Sequence, residues 1–253
     1  MSETAAHAYH DKFFDYVEIR AGRSAQHVVD FLRRHLPVSS VLDVGCGRGA
    51  WVDQWCRSGI TDVVGVDGAY INIDRLLIPQ EKFVACDLSE RFDLNRQFDL
   101  VQSLEVAEHV SPSRVEIFVD NLVNHGDLIL FSAAVPGQGG EFHVNEQPYE
   151  YWRKKFDARG FAIFDFLRPH ILKIRAIEPW YRYNIFLFVN QRGVSRLSET
   201  IRRTQLERTE PIADLAPLPW RLRNFTFRYL PQPFVQRLAR IKHVAVRAGL
   251  TPK

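Results

Sequence analysis

Two carboxylates and an imidazole stand within five residues at Glu105, Glu108 and His109, in the pattern E-x-x-E-H. Such a set suits a divalent cation such as Mg2+ that accepts oxygen and nitrogen ligands. If the segment is helical, Glu105 shares a face with Glu108 and His109, three and four residues on. Another histidine, His143, lies in the glycine-rich stretch 136–148. The chemistry these residues serve is hydroxyl activation. A hydroxyl becomes a competent nucleophile when a cation lowers its pKa or a base removes its proton. Two arrangements remain open: a metal held by Glu105, Glu108, His109 and His143, or a metal-free site with His143 as general base, since imidazole titrates near neutrality. In both, Glu108 and His109 belong to the catalytic group beside His143.

Such groups act only if something holds a reactant beside them. The candidate is Val41-Leu42-Asp43-Val44-Gly45-Cys46-Gly47-Arg48-Gly49, spaced D-x-G-x-G-x-G. An apolar run suited to a strand of a parallel sheet ends in an acid and breaks into alternating glycines. Glycine reaches positive φ and lets a ligand approach the backbone. The helix expected from about Ala50 offers free N–H groups at its start. The spacing differs from the dinucleotide fingerprint G-x-G-x-x-G. Cys46 fits as a small side chain in a tight turn.

The loop needs a scaffold, and apolar runs recur at 61–67, 83–88, 98–104, 127–132, 161–166 and 184–189. Helical stretches alternate with them. The expected fold class is therefore α/β: a Rossmann-like, doubly wound, seven-stranded and mostly parallel sheet with helices on both faces, followed by a basic helical extension. Asp43, Asp67 and Asp87 stand at the carboxyl ends of the first three runs, the edge where ligands bind in an open sheet. Asp67, followed by Gly68, lies one βαβ spacing beyond the glycine loop, where an acid accepts ribose hydroxyls. Ser103 and Leu104 close the fourth run at the same edge. Residues 136–148 follow the fifth run, where an active-site loop belongs. Trp180-Tyr181-Arg182-Tyr183 precedes the last run, as packing or as an aromatic wall.

The loop at 41–49 resembles motif I of the class I S-adenosylmethionine (SAM) methyltransferases, and the resemblance covers roughly residues 35–192. It implies SAM as cofactor. Asp43, Gly45, Cys46, Gly47 and Gly49 would serve its methionine portion, Asp67 and Gly68 its ribose, and Asp87 and Leu88 its adenine, with Ser103 and Leu104 completing the set. The last two strands in that family form an antiparallel, hairpin-like edge. The E-x-x-E-H stretch resembles that of ubiquinone-pathway O-methyltransferases and of small-RNA 2′-O-methyltransferases. In the latter a second histidine from a later loop completes a magnesium site, the part His143 would play. In other class I enzymes an E-H pair at this place binds no metal and orients the loop and an N-terminal lid. The resemblance implies an O-methyltransferase, with a sugar, glycan or natural-product hydroxyl as acceptor. An RNA acceptor is the alternative; the missing basic–aromatic nucleotide-binding module argues against it. A non-catalytic SAM-fold subunit that binds a partner is the other, and the intact Asp67, Gly45, Gly47 and His143 argue against that.

Three segments organise the chain of 253 residues: a helical lid at 1–36, the SAM-binding domain at 37–192 and a proline-interrupted extension at 193–253. Tyr9, Phe13, Phe14 and Tyr16 give the first its aromatic character. Net charge is +3, yet residues 192–253 hold 13 Lys and Arg against 4 Asp and Glu, which marks the tail as a contact surface for anionic partners. Phe234, Leu238, Ile241 and Ala245 share a helical face ringed by Arg237, Arg240, Lys242 and Arg247, suited to a membrane surface, a protein partner or the chain's own domain. Cys46, Cys56 and Cys86 lack metal-like spacing and point to reduced thiols in the cytoplasm. The first residues do not read as a secretory signal, and no run approaches the roughly 20 apolar residues of a membrane span. Oligomeric state has no signal in the sequence.

Overall fold

The structure is a computed structural model that describes residues 11–230, with side chains from residue 20 onward. The aromatics expected in the lid and the basic amphipathic segment at 234–247 lie outside the described side chains. The helices are α1 (Asp11–His35), α2 (Ala50–Arg57), α3 (Val115–Val123), α4 (Tyr149–Asp157), α5 (Arg168–Ile171), α6 (Pro179–Asn184), α7 (Gln191–Val194), α8 (Glu199–Arg202) and α9 (Leu218–Phe227). The strands are β1 (Ser40–Val44), β2 (Asp62–Asp67), β3 (Phe83–Ala85), β4 (Leu100–Leu104), β5 (Leu128–Ser132), β6 (Phe161–Phe164) and β7 (Phe186–Asn190). They form one sheet in the order β3-β2-β1-β4-β5-β7-β6. β7 runs antiparallel to both β5 and β6, and the other pairs are parallel.

Two expectations change in detail. β6 and β7 form the expected antiparallel edge, but α5 and α6 rather than a tight turn connect them, and β6 is the outermost strand. Asn184, expected to open the last strand, instead closes α6, which Pro179 starts at its first turn with φ already set for a helix.

Alternation along the strands builds two cores. On one face Val41, Val63 and Leu100 meet Ala25, Val28 and Leu32 of α1 and Val52 and Trp55 of α2. On the other, Leu42, Val101, Ile129 and Phe131 meet Phe118 and Leu122 of α3 and Trp152 and Phe156 of α4. Each large apolar side chain fully buried here contributes roughly 1.5–3 kcal/mol.

Residues after 193 pack on the same cores. Leu197 and Ile201 are buried in the first, and Leu206 and Ile212 lie against the second. Two buried arginines fasten this segment. Arg153 donates to the carbonyls of Glu207, Arg208 and Glu210 at 2.9, 3.2 and 2.5 Å. Arg168 pairs with Asp165 and donates to the Ala213 carbonyl at 3.0 Å.

Candidate cofactor and catalytic site

After β1 the chain turns through Gly45 and Gly49 at φ 87° and 94°, left-handed values that favour glycine. The crowding at Gly45 is specific: a Cβ there would lie 2.3 Å from Cγ2 of Val106. The glycine loop and the E-x-x-E-H segment are therefore in direct contact. The loop is tied to β2 by Gly45 and Cys46 N–H groups donating to the Val66 carbonyl at 2.8 and 3.2 Å.

Asp67, at the end of β2, reaches back over this loop. Its carboxylate accepts the N–H of Gly47 and of Gly68, both at 2.7 Å, and the Tyr70 hydroxyl at 2.5 Å. Burial raises its pKa against those hydrogen bonds. Asp43 is buried too, and its Oδ2 has no hydrogen-bond partner among the described residues. Burial pushes its pKa up to about 7, with Asp67 adding repulsion and Gln102 acting the other way. A buried acceptor without a donor, beside a glycine turn, is the environment a ligand ammonium group would relieve. The residues thus fit an adenosyl-amino-acid cofactor.

The remaining cofactor candidates are placed as follows. Cys46 is buried, its thiol pKa pushed well up by burial, and a Cβ on Gly65 would lie 2.7 Å from its Sγ. Ser103 donates to the Val44 carbonyl at 2.8 Å and so ties β4 to β1, while Leu104 is buried. Leu88 lies half-buried against the second core. Asp87 is exposed beyond β3 and accepts from the N–H and hydroxyl of Ser89 at 2.9 and 2.5 Å.

The E-x-x-E-H segment is not the α-helix that its spacing suggests. Glu105 leaves β4 at φ 58°, and only a short 3-10 turn, Ala107–His109, follows. Glu105 accepts from Gln138 Nε2 at 2.6 Å and from Asn184 Nδ2 at 3.4 Å. Ligand atoms of Glu108, His109 and His143 all lie within 4.8 Å of one another, and Glu105 is outside that cluster. The rings of His109 and His143 meet edge to face at 4.9 Å. His109 Nδ1 lies 3.3 Å from the Phe142 carbonyl.

The Glu108 carbonyl brings His143 here by accepting the N–H groups of Val144 and Asn145 at 2.9 and 3.0 Å. His143 Nδ1 lies 2.8 Å from Glu146 Oε1, and its Nε2 lies 3.9 Å from Glu108 Oε1. Glu146 also accepts the N–H groups of Gly137 and Gly139, both at 2.7 Å. Burial opposes ionisation of Glu146, but the bond to His143 and these N–H groups hold its pKa below the usual range. Glu108 differs: burial pushes its pKa well up, Glu105 adds repulsion, and its Oε2 has no hydrogen-bond partner among the described residues. Burial also raises Glu105.

Glu146, Gln138 and Asn184 were not among the sequence candidates. The spacing H-x-x-E from His143 to Glu146 is the one signal that could have revealed a member of this group. Arg223 of α9 donates to the Gln138 carbonyl at 2.9 Å, and a Cβ on Gly137 would lie 1.9 Å from the Asn224 carbonyl, so α9 covers this loop. Tyr181 and Tyr183, from the expected aromatic wall, are buried, and Tyr181 meets Trp51 edge to face at 5.2 Å.

The sheet order and the glycine turn under Asp67 give the chain the fold of the class I SAM-dependent methyltransferases. The family model described as Methyltransferase domain matches residues 16–132. Among curated relatives, a ubiquinone biosynthesis O-methyltransferase of Nitrobacter winogradskyi is 34% identical over 85 residues, covering 32% of this chain and 31% of the relative. Another, of Acinetobacter baylyi, is 33% identical over 120 residues, covering 44% and 46%. The chain thus spans less than half the length of these relatives. Among solved structures, the magnesium protoporphyrin IX methyltransferase of Synechocystis with bound SAM aligns with TM-score 0.50 at 20% identity, over 70% of this chain and 83% of that one. The methyltransferase domain of bacterial-CtHen1-C gives 0.51 at 20% identity, over 68% and 98%. At these identities the structures speak for the fold.

Proposed function

We propose that this chain transfers a methyl group from SAM to a hydroxyl of a small molecule, with a sugar, glycan or natural-product hydroxyl as acceptor and His143 as general base. The observation that carries this reading is the contact between Gly45 and Val106, which puts the cofactor-type loop against the segment where Glu108, His109 and His143 converge. The names of the curated relatives support an oxygen acceptor.

SAM, when bound, supplies an electrophilic methyl group on a sulfonium. The chain's own part is positioning, which supplies several kcal/mol of such a barrier, and proton removal. Asp43 would take the ammonium group, Asp67 the ribose, and Asp87 and Leu88 the adenine edge. Glu146, held ionised by two backbone N–H groups, selects the His143 tautomer with the proton on Nδ1. Nε2 is then the free base that accepts the acceptor's proton, and Glu146 stabilises the imidazolium that forms.

One observation favours a second reading. Glu108 Oε2 is buried without a partner among the described residues, beside His109 and His143, a carboxylate–imidazole donor set that suits a divalent cation. A cation on Glu108, His109 and His143 would lower the hydroxyl pKa directly.

Titration calorimetry with SAM and its demethylated product tests the cofactor reading, and absence of binding heat overturns it. Turnover against a panel of sugars and phenols tests the acceptor. Methyl transfer confined to nitrogen or carbon acceptors would refute the oxygen assignment.

A further inference from the structure

Helix α9 has two faces of opposite character. Trp220, Arg223, Asn224 and Phe227 face the protein: Arg223 lies over the rings of Trp220 and Phe227, Trp220 meets Tyr183, and Asn224 is buried against Gly137. Leu218, Leu222, Phe225 and Tyr229 fall on the other side, at intervals of four, three and four residues. At 3.6 residues per turn the first three occupy an arc of about 60° of α9, and Tyr229 continues the stripe in the turn that follows the helix. They are 74, 60, 60 and 70% exposed, and they are half of the large apolar residues exposed among the described ones. Phe225 and Tyr229 stack edge to face at 5.2 Å, so the stripe is continuous at that end. Arg221, which also lies 3.4 Å from Asp214 Oδ2, and Arg228 flank it, both exposed.

Charge says what such a stripe meets. From residue 215 to residue 253 the chain holds eight Lys and Arg and no Asp or Glu. An apolar ridge edged by arginine, in a segment with no acidic residue, is the signature of a helix lying in the interface of an anionic bilayer. Its apolar side chains enter the headgroup boundary, and the arginines keep their guanidinium groups at the phosphates. No helix of the described residues is long and apolar enough to cross a membrane, so the contact is peripheral.

We propose that α9 docks this protein on the surface of anionic lipid, with Leu218, Leu222, Phe225 and Tyr229 inserted. The opposite face of the same helix covers the loop bearing His143, so the docked surface lies one helix thickness, about 10 Å, from the catalytic loop.

The test is co-sedimentation of the full chain with vesicles of phosphatidylcholine alone or mixed with phosphatidylglycerol. Binding is expected to the mixed vesicles and to weaken as salt is added. The exposed double variant Leu222→Ser/Phe225→Ser should bind about tenfold or more weakly while melting like the parent. The variant Arg221→Gln/Arg228→Gln should lose the preference for phosphatidylglycerol in part. Absence of binding to the mixed vesicles overturns the proposal, as does binding that the serine variant leaves unchanged. A concentration-dependent dimer that the serine variant dissolves would give the stripe to a second copy and also overturn it.

Discussion

His143 sits with its Nδ1 2.8 Å from Glu146 Oε1, and Glu146 is itself held by two backbone N–H groups of the same loop. The imidazole is therefore oriented from within its own loop, while its other nitrogen faces Glu108. Replacing His143 by alanine should lower kcat by about 10²–10⁴ and leave affinity for the demethylated cofactor unchanged. Glu146→Gln should lower kcat less, because the amide still reaches the imidazole but no longer stabilises the imidazolium that forms; steady-state kinetics measures the difference.

Asp67 gathers the Gly47 and Gly68 N–H groups on one carboxylate. Asp67→Ala should weaken binding of SAM by at least about tenfold, since hydrogen bonds to a charged group are worth about 1.5–3 kcal/mol. Calorimetry measures this, and unchanged affinity would contradict the ribose assignment.

Asp43 binds its proton up to about pH 7 in the folded chain, against an ordinary value of 3.8. Between those values the folded state holds more protons than the unfolded one, so its contribution to stability falls as pH rises. One such group gives a slope of at most about 1.4 kcal/mol per pH unit. Asp67, Glu105 and Glu108 are shifted the same way. Thermal melting of the ligand-free chain should fall from pH 5 to pH 7 (~), Asp43→Asn should flatten that dependence, and the same variant should bind SAM more weakly.

Excess EDTA separates the two readings of the histidine cluster. With His143 as base, activity persists in the chelator. Activity lost and restored by Mg2+ or Mn2+ would assign Glu108, His109 and His143 as ligands.

Gly45→Ala should destabilise the fold by about 2–4 kcal/mol, from a left-handed alanine together with overlap on Val106. Val106→Ala in that background should recover the overlap part and not the backbone part. A double-mutant cycle of melting curves reads the coupling.

The sheet and its carboxyl edge were legible because apolar runs and strand-end acids are local signals. Asp43 and Asp67 lie on β1 and β2 at that edge, with the glycine turn between, as the local pattern requires. Glu105 shows where local reading stops: its spacing suits a helix face, but its left-handed φ breaks that face and sends its carboxylate to Gln138 and Asn184. Those partners lie 33 and 79 residues away, beyond any spacing rule. Composition marked residue 193 as a boundary, yet Arg153 and Arg168 bind the backbone beyond it, and a single arginine in a sequence does not disclose which carbonyls it will hold.

Gly137 and Asn224 approach so closely that no side chain fits between them. A gene trimmed after Asn190, where the last strand ends, would encode a protein stripped of its roof: Gln138 would lose Arg223, and the start of the histidine loop at Gly137 would be uncovered. Anyone seeking the smallest active fragment must therefore carry the coding region through the helix that closes over this loop.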